Sequence, residues 1–275
     1  MIAPAGFLLY YFWIRDRWEK EPWGIIWFLF GLGCLSVLPA GVIEIATLGI
    51  EMELETVGQV YFASFIAIGL VEEGIKLACV YLFTARTRHF TEEIDGIIYA
   101  VAVGLGFAFL ENIVYVVGAL LEGPNALAMA VLRAFTAVPS HALDGVMLGY
   151  FLGLSKFMPQ KTDRLKALAT GLILATLFHG LYDSFALLLT VLPESRAGWC
   201  IVGIVWTLIV QWGVAHRLLR SAQELATTRW RGTKAPIHKP KTLRFCRHCQ
   251  AVIPAEAVFC PQCGAPLPRN RSFGL

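Results

Sequence analysis

The chain has 275 residues, of which 57% are hydrophobic and only 16% are charged. A soluble domain carries about 25% charged residues, so this composition excludes an ordinary soluble enzyme and indicates an integral membrane protein. The net charge of +3 is too small to indicate nucleic-acid binding, and we expect no nucleic-acid partner.

Apolar runs of about 20 residues, the length that crosses a bilayer, recur along the chain. The run at residues 2–14 is shorter; it either spans with local thinning or extension, or only enters the interface. It has no basic n-region and no small-residue cleavage site, so we do not expect a cleaved signal peptide. The longer predicted spans are residues 23–48, 57–84, 97–120, 126–155, 167–192 and 199–218.

Loops rich in Lys and Arg alternate with loops that lack them. By the positive-inside rule the basic loops lie in the cytoplasm. The sequence therefore predicts a multi-pass protein of the cell membrane, with its N-terminus outside and its C-terminal tail in the cytoplasm. The basic residues that set this orientation are Arg15, Arg17, Lys20, Arg86, Arg88, Lys156, Lys161, Arg164, Lys166, Arg217 and Arg220.

Five ionisable residues interrupt the apolar runs at one depth. At about 1.5 Å per helical residue, they lie about 18–22 Å from the cytoplasmic edge of their spans. Ionisable groups inside a membrane are costly, and they usually face a protein interior or a wet cavity. The predicted polar pocket is formed by Glu72, Glu73, Glu111, His141 and His179.

The segment E-E-G-I-K places two adjacent carboxylates one helical turn from a lysine. The Lys76 ammonium is predicted to reach Glu72 at i+4 or Glu73 at i+3. Two neighbouring carboxylates cannot both ionise cheaply in a dry site, which suits one of them to act as a general base. The alternative is a buried ion pair that holds two helices together.

Glycines precede the next acidic residue, in the segment G-L-G-F-A-F-L-E-N. Gly104 and Gly106 let another helix approach closely, so Glu111 is predicted to face a packed interface, where Asn112 adds an amide donor. Glu111 by itself could also be a helix–helix hydrogen-bonding residue. Glu44, in the second span, lies near its outer end and is expected to reach the interface.

Two histidines lie on later spans. Pro139 lacks a backbone donor and is expected to bend the helix near Phe135, just before His141. Further along that span a double G-x-x-x-G ridge indicates tight internal packing, with dimerisation as the alternative. In F-H-G-L-Y-D, Asp183 lies four residues after His179 and is predicted to orient its imidazole.

These motifs resemble the PrsW family of intramembrane proteases, which is related to the prenyl-protein endoproteases and bacteriocin-processing membrane enzymes. The family pattern is E-E-x-x-K, then F-x-x-x-E, then a histidine on each of two later helices. Here it reads E-E-G-I-K from Glu72, F-A-F-L-E ending at Glu111, and then His141 and His179. The stretches D-R-W-E-K-E-P and D-G-I-I-Y also look like the family, and the likeness covers roughly residues 10–190.

The resemblance implies hydrolysis of a peptide bond in a membrane-embedded or juxtamembrane substrate. Glu72 or Glu73 would take a proton from water, His141 and His179 would stabilise the oxyanion or hold a metal, and Glu111 would complete the site. Two versions stay open. In one, Glu111 and the histidines bind zinc; in the other, carboxylate and imidazole act without metal, as in a glutamic protease. No H-E-x-x-H motif is present, so the common zincin geometry is absent.

Two C-x-x-C knuckles lie near the end of the chain, separated by 10 residues. This spacing is typical of a zinc ribbon, in which four thiolates bind one structural Zn²⁺ and the metal drives folding. A cytoplasmic location makes disulfides unfavourable, and the ribbon is expected to bind a cytoplasmic protein partner or to regulate. The predicted ligands are Cys246, Cys249, Cys260 and Cys263.

The predicted fold is an all-α polytopic membrane protein of about seven transmembrane helices, followed by a small cytoplasmic zinc ribbon. We divide it into a transmembrane protease domain at residues 1–220, a linker at 221–242 and the ribbon at 243–268. The partners are the lipid bilayer and a membrane protein substrate. Competing hypotheses are a proton- or ion-coupled transporter, and an inactive receptor that signals through the ribbon; against transport, we find no inverted repeat.

Overall fold

The structure is a computed structural model. It describes residues 2–49, 53–84, 87–122, 126–233, 243–246, 248–249, 252–254 and 263. The chain divides into two compact units, Met1–Thr228 and Arg229–Leu275. The first is helical wherever it has regular structure, and the second contains a pair of short strands.

Helices follow one another through the first unit, with α3 and α4 joined by a π-helical segment at Ala63–Leu70. A short 3-10 turn, Glu194–Arg196, precedes the last helix. The α-helices are α1 (Ile2–Trp13), α2 (Trp23–Leu48), α3 (Val57–Phe62), α4 (Val71–Thr84), α5 (Glu93–Glu122), α6 (Ala126–Phe135), α7 (Ala137–Phe157), α8 (Lys161–Val191) and α9 (Ala197–Thr233).

Within the described residues, five helical stretches are long and apolar enough to cross a membrane. They are α2, α5, α6 with α7, α8, and α9 with the turn before it. The predicted run 2–14 forms a helix of only 12 residues, and the run 57–84 is divided among three segments. The chain is thus an all-helical multi-pass membrane protein, while the count of about seven spans stays a prediction.

Helix α5 lies at the centre of the bundle and packs mainly against α7 and α2. Its contact with α7 depends on glycine, because a Cβ at Gly149 would collide with the backbone of Gly96 and Ile97. A Cβ at Gly153 would similarly meet the backbone of Glu93. The predicted internal packing of the G-x-x-x-G ridge is therefore confirmed.

The apolar run 126–155 is interrupted at Thr136, which separates α6 from α7. Pro139 explains the position of this break, because a proline ring clashes with the carbonyl four residues earlier, here that of Phe135. The helical run is thus interrupted next to Phe135, where the bend was predicted.

The stretches D-R-W-E-K-E-P and D-G-I-I-Y, which also resemble the family, lie together at the start of α5. Asp95 accepts hydrogen bonds from the backbone N–H groups of Thr91 and Glu92, both at 2.8 Å, and so caps this end of the helix. In the α1–α2 connection, burial raises the pKa of Asp16 to about 6 and that of Glu21 to about 7. The α1–α2 connection thus supplies buried carboxyls to the same end of the bundle.

The second unit has a small antiparallel sheet, in which β1 (Leu243–Phe245) pairs with β2 (Val252–Pro254). The predicted linker begins inside α9, because that helix continues to Thr233. The remainder of the predicted linker, residues 234–242, lies outside the described residues.

We expect Gly149→Ala to lower the free energy of unfolding by about 1–3 kcal/mol, the usual cost of overpacking a tight core. The added methyl group has backbone atoms of α5 in its place. The measurement is thermal unfolding of the purified protein in detergent. Gly118→Ala is the control, because a Cβ at Gly118 meets no described atom within 4 Å. Equal stability of the two variants would contradict the close packing of α5 on α7.

Candidate active site

All of the ionisable residues predicted to share one pocket meet between four helices. Helix α4 carries Glu72 and Glu73, α5 carries Glu111, α7 carries His141, and α8 carries His179. At most 5% of Glu72, Glu73, His141 and His179 is exposed, which places the cluster in the interior of the bundle. The centres of the imidazole rings of the two histidines lie 5.2 Å apart.

The Lys76 ammonium is the hub of this cluster. It donates hydrogen bonds to Glu72 Oε2 at 2.9 Å and to Glu73 Oε1 at 2.7 Å. It also lies 2.9 Å from His141 Nδ1 and 4.0 Å from the centre of the Phe107 ring. Both helical pairings predicted from the sequence are therefore present, and the same ammonium also joins α4 to α7.

The hydrogen bonds of His141 define its tautomer. An ammonium can only donate, so Nδ1 of His141 accepts from Lys76 and the ring proton lies on Nε2. His141 Nε2 then donates to Glu111 Oε2 at 2.9 Å. The same oxygen of Glu111 lies 2.9 Å from Arg133 Nη2. Glu111 is thus held by two donors, and it fixes the ring of His141.

His179 faces carboxylates on both sides. Its Nδ1 lies 2.9 Å from Glu73 Oε1, and its Nε2 lies 3.2 Å from Asp183 Oδ2. Asp183 is therefore placed to orient the imidazole as predicted. Asp144 Oδ2 lies 3.7 Å from Nδ1 of the same ring. The ring can donate on both of its edges, and it joins α8 to α4.

Close backbone approach brings these helices together. A Cβ at Gly104 would lie 2.7 Å from the carbonyl oxygen of His141, so this glycine lets α7 reach α5 beside the site. A Cβ at Gly69, in the π-helical segment, would lie in ordinary contact with α8, 3.5 Å from Gly180 N and 3.5 Å from His179 Cδ2. π-Helical turns are frequent at functional sites, and this one directly precedes Glu72.

Three residues that contribute to the site were not among those predicted from the sequence. Arg133 on α6 pairs with Glu111, donates to Asn112 Oδ1, and lies 3.7 Å from the centre of the Tyr115 ring. Asn112, predicted as a supporting donor, accepts in this contact. The available signal is that Arg133 stands alone in an apolar segment, which normally marks a partnered charge.

The other two contributors are Asp144 and Gln211. Gln211 on α9 donates to Asp144 Oδ1 at 2.7 Å, and both residues are buried. Asp144 lies three residues after His141, on the same helical face, and Gln211 is a polar amide within an apolar run. Both are signals of interhelical hydrogen bonding.

Glu44 differs from its expected position at the interface. Its Oε1 atom is buried and has no hydrogen-bond partner among the described residues. Its electrostatic neighbours include Glu111 and His179. The C-terminal part of α2 therefore reaches the polar cluster, because α2 packs against α5 and α4.

The donor atoms of the cluster fit a metal ion. One ligand atom each from Glu72, Glu73, His141 and His179 lies within 4.8 Å of the others. Carboxylate oxygen and imidazole nitrogen are ligands of Zn²⁺. Glu73 Oε2 and Asp144 Oδ2 are buried without a hydrogen-bond partner among the described residues, so each has lone pairs that a cation could bind.

The donor set differs from the one predicted, which combined Glu111 with the histidines. Glu111 Oε2 is already engaged by Arg133 and by His141 Nε2. Glu72 and Glu73 take its place among the clustered donors, and the Lys76 ammonium lies between three of these four residues. A metal ion and this ammonium would compete for the same oxygen and nitrogen atoms.

The C-terminal unit brings three of the four predicted zinc ligands together. Donor atoms of Cys246, Cys249 and Cys263 lie within 4.8 Å of one another, and the sulfur atoms of Cys246 and Cys263 are 3.8 Å apart. Cys260 lies outside the described residues. The first knuckle directly follows β1.

Comparison with known proteins gives two family matches. Residues 21–214 match the PrsW family intramembrane metalloproteases, and residues 245–267 match a zinc-ribbon domain. No solved structure matches the chain.

Curated relatives cover most of the helical unit. The protease PrsW of Bacillus subtilis (strain 168) is 37% identical over 183 residues, which is 66% of this chain and 78% of the relative. The protease PrsW of Clostridioides difficile (strain 630) is 33% identical over 219 residues, 78% of this chain and 87% of the relative. That of Geobacillus kaustophilus (strain HTA426) is 33% identical over 227 residues, 82% of this chain and 91% of the relative. The chain belongs to the PrsW family of intramembrane metalloproteases.

Proposed function

We propose that the chain is an intramembrane endopeptidase that hydrolyses a peptide bond in a membrane-embedded or juxtamembrane segment of a protein substrate. The observation that carries this proposal is the buried group of carboxylate and imidazole atoms of Glu72, Glu73, His141 and His179, within 4.8 Å of one another. Family membership supports the same reaction class.

We assign the general base to Glu72. Glu73 Oε1 is held by both Lys76 and His179, which suits it to positioning these two groups. Among the described contacts, Glu72 has one hydrogen bond, from Lys76 to Oε2, so its other oxygen is the better proton acceptor. Glu72 takes a proton from water as the water oxygen bonds to the scissile carbonyl carbon, and then gives that proton to the leaving amide nitrogen.

The histidines and their partners carry the remaining roles. His179 stabilises the negative charge that develops on the carbonyl oxygen by turning its Nδ1–H from Glu73 Oε1 to that oxygen. His141, whose N–H is held by Glu111, positions the Lys76 ammonium. Asp183 orients the ring of His179, and Glu111 that of His141. Arg133 is a positioning residue, because it holds Glu111 rather than the reacting atoms.

The metal-dependent version is supported by the donor set and by the family description. Glu72, Glu73, His141 and His179 would hold the ion, which when bound supplies Lewis-acid polarisation of the carbonyl and activation of water. In this version Glu72 serves as a ligand of the ion rather than as the general base. The glutamic version uses the same residues without the ion.

The alternation of basic loops supports the orientation proposed from the sequence, with the N-terminus outside and the tail in the cytoplasm. We assign the protease to the helical unit. In the C-terminal unit, Cys246, Cys249, Cys260 and Cys263 bind a structural Zn²⁺, and the ribbon contacts a cytoplasmic protein partner. The three clustered cysteine donors support the first of these assignments.

Glu72→Gln is expected to lower kcat/KM at least about a hundredfold, because a general base is lost while the side-chain volume is kept. His179→Ala should be similarly inactive. The assay follows cleavage of a single-span test protein by the purified enzyme in proteoliposomes, with folding checked by thermal unfolding. Ser184→Ala is the control on α8, since the hydrogen bond given for its hydroxyl among the described residues is to Gly180 O of its own helix. Normal cleavage by both Glu72→Gln and His179→Ala would refute the assigned site.

Elemental analysis distinguishes the two versions of the mechanism. The full-length protein should carry two zinc ions per chain, and Cys246→Ser with Cys249→Ser should leave one, because the ribbon loses half of its thiolates. Adding His179→Ala should remove the second ion. One zinc ion in the parent protein and none in the double cysteine variant would favour the glutamic version.

Lys76→Met should raise the affinity for zinc, measured in the double cysteine variant by competition with a chelator, since the competing ammonium is gone. Without metal this variant should lose about 3–5 kcal/mol of stability, as expected for a broken buried ion pair, and zinc should restore it. Lys76→Arg keeps the charge and serves as the control. If Lys76→Met matched its parent in both zinc affinity and stability, the proposed competition would be refuted.

A further inference from the structure

A cavity of about 430 Å³ lies away from the active site, beside the end of α4, the end of α7 and the start of α8. Small-molecule sites typically have volumes of about 300–1,000 Å³. Helix α7 ends at Phe157 and α8 begins at Lys161, and both belong to candidate membrane spans. The cavity is therefore at the boundary between the hydrocarbon layer and water.

Its polar side carries positive charge. Lys156, Lys161 and Arg164 line the cavity, and none of the described lining residues is acidic. The nearby Asp163 pairs with Lys166 at 3.7 Å, and neither of these two residues lines the cavity. Three cations therefore face the same space without a carboxylate among them.

Two further features strengthen the attraction for an anion. The cavity lies at the N-terminus of α8, where the positive end of a helix dipole favours negative charge. The Arg164 side chain is held in place by a 2.6 Å hydrogen bond from its Nε to Met158 O. This bond uses one donor of the guanidinium, and the remaining N–H groups can bind a phosphate.

The other side of the cavity is apolar and open to the membrane. Tyr81 and Leu165 line this side of the cavity, and 49% and 56% of their surface, respectively, is exposed. Leu152 and Leu168 lie deeper along the same wall. A ligand that matches both sides has an anionic head and a hydrocarbon chain.

We propose that this cavity binds the phosphate headgroup of an anionic glycerophospholipid. Lys156, Lys161 and Arg164 contact the phosphate, and one acyl chain lies along Tyr81 and Leu165. Basic pockets between transmembrane helices bind anionic lipid headgroups in this manner. The apolar wall and the position at the interface favour a lipid over a free phosphate. The site is independent of the proposed proteolytic mechanism.

The test is native mass spectrometry of the full-length protein released from detergent containing phosphatidylglycerol or phosphatidylcholine. Lys161→Glu is the test variant; a Glu in the first turn suits the helix dipole, so folding is preserved. Lys166→Glu is the matched control, with the same change of charge on the same helix, five residues on. Thermal unfolding of each protein verifies the fold.

We expect the parent protein and Lys166→Glu to retain one phosphatidylglycerol and no phosphatidylcholine. Lys161→Glu should bind phosphatidylglycerol at least about fivefold more weakly, as expected for one lysine contact. Equal loss in both variants, or no loss in either, would overturn the proposal. Displacement of the lipid by equimolar inorganic phosphate would also overturn it, because the site would then recognise free phosphate.

Discussion

The active-site cluster depends on the ammonium of Lys76. Carboxylates buried in an apolar layer are costly unless they are paired and hydrogen-bonded, and this one cation lies against both Glu72 and Glu73. Because α4 supplies two acids and one counterion within two turns, one of the two negative charges is balanced locally. The contact of the same ammonium with His141 then couples that local arrangement to α7.

The short polar contacts exist because the helix backbones come unusually close. Gly104 faces the backbone of His141, and Gly149 faces the backbone of Gly96. Between membrane helices there is little hydrophobic driving force, so small residues and interhelical hydrogen bonds provide the association. The glycines and the polar cluster therefore support each other. Close packing brings hydrogen-bond donors and acceptors within reach, and the hydrogen bonds in turn stabilise the close packing.

Much of this site could be predicted from the sequence, because two of its features are set by residues that are close together in the chain. The ends of an apolar run give the depth of a residue, and helical spacing gives pairs such as Lys76 with Glu72 and His179 with Asp183. The inward approach of Glu44 could not be predicted. It depends on the rotation of each helix about its axis and on the identity of its neighbours. A helix that is apolar all round gives no periodic signal of either.

The π-helical segment sets which way the acidic pair points. Each residue in an α-helix turns the chain by about 100°, so a segment with a wider turn offsets the angular phase of α4 from that of α3. Ala63–Leu70 lies immediately before α4. The apolar periodicity upstream therefore does not determine where the two glutamates face. A relative lacking one residue in this segment would turn its acidic pair by about 100° about the helix axis, unless a compensating insertion restored the angle.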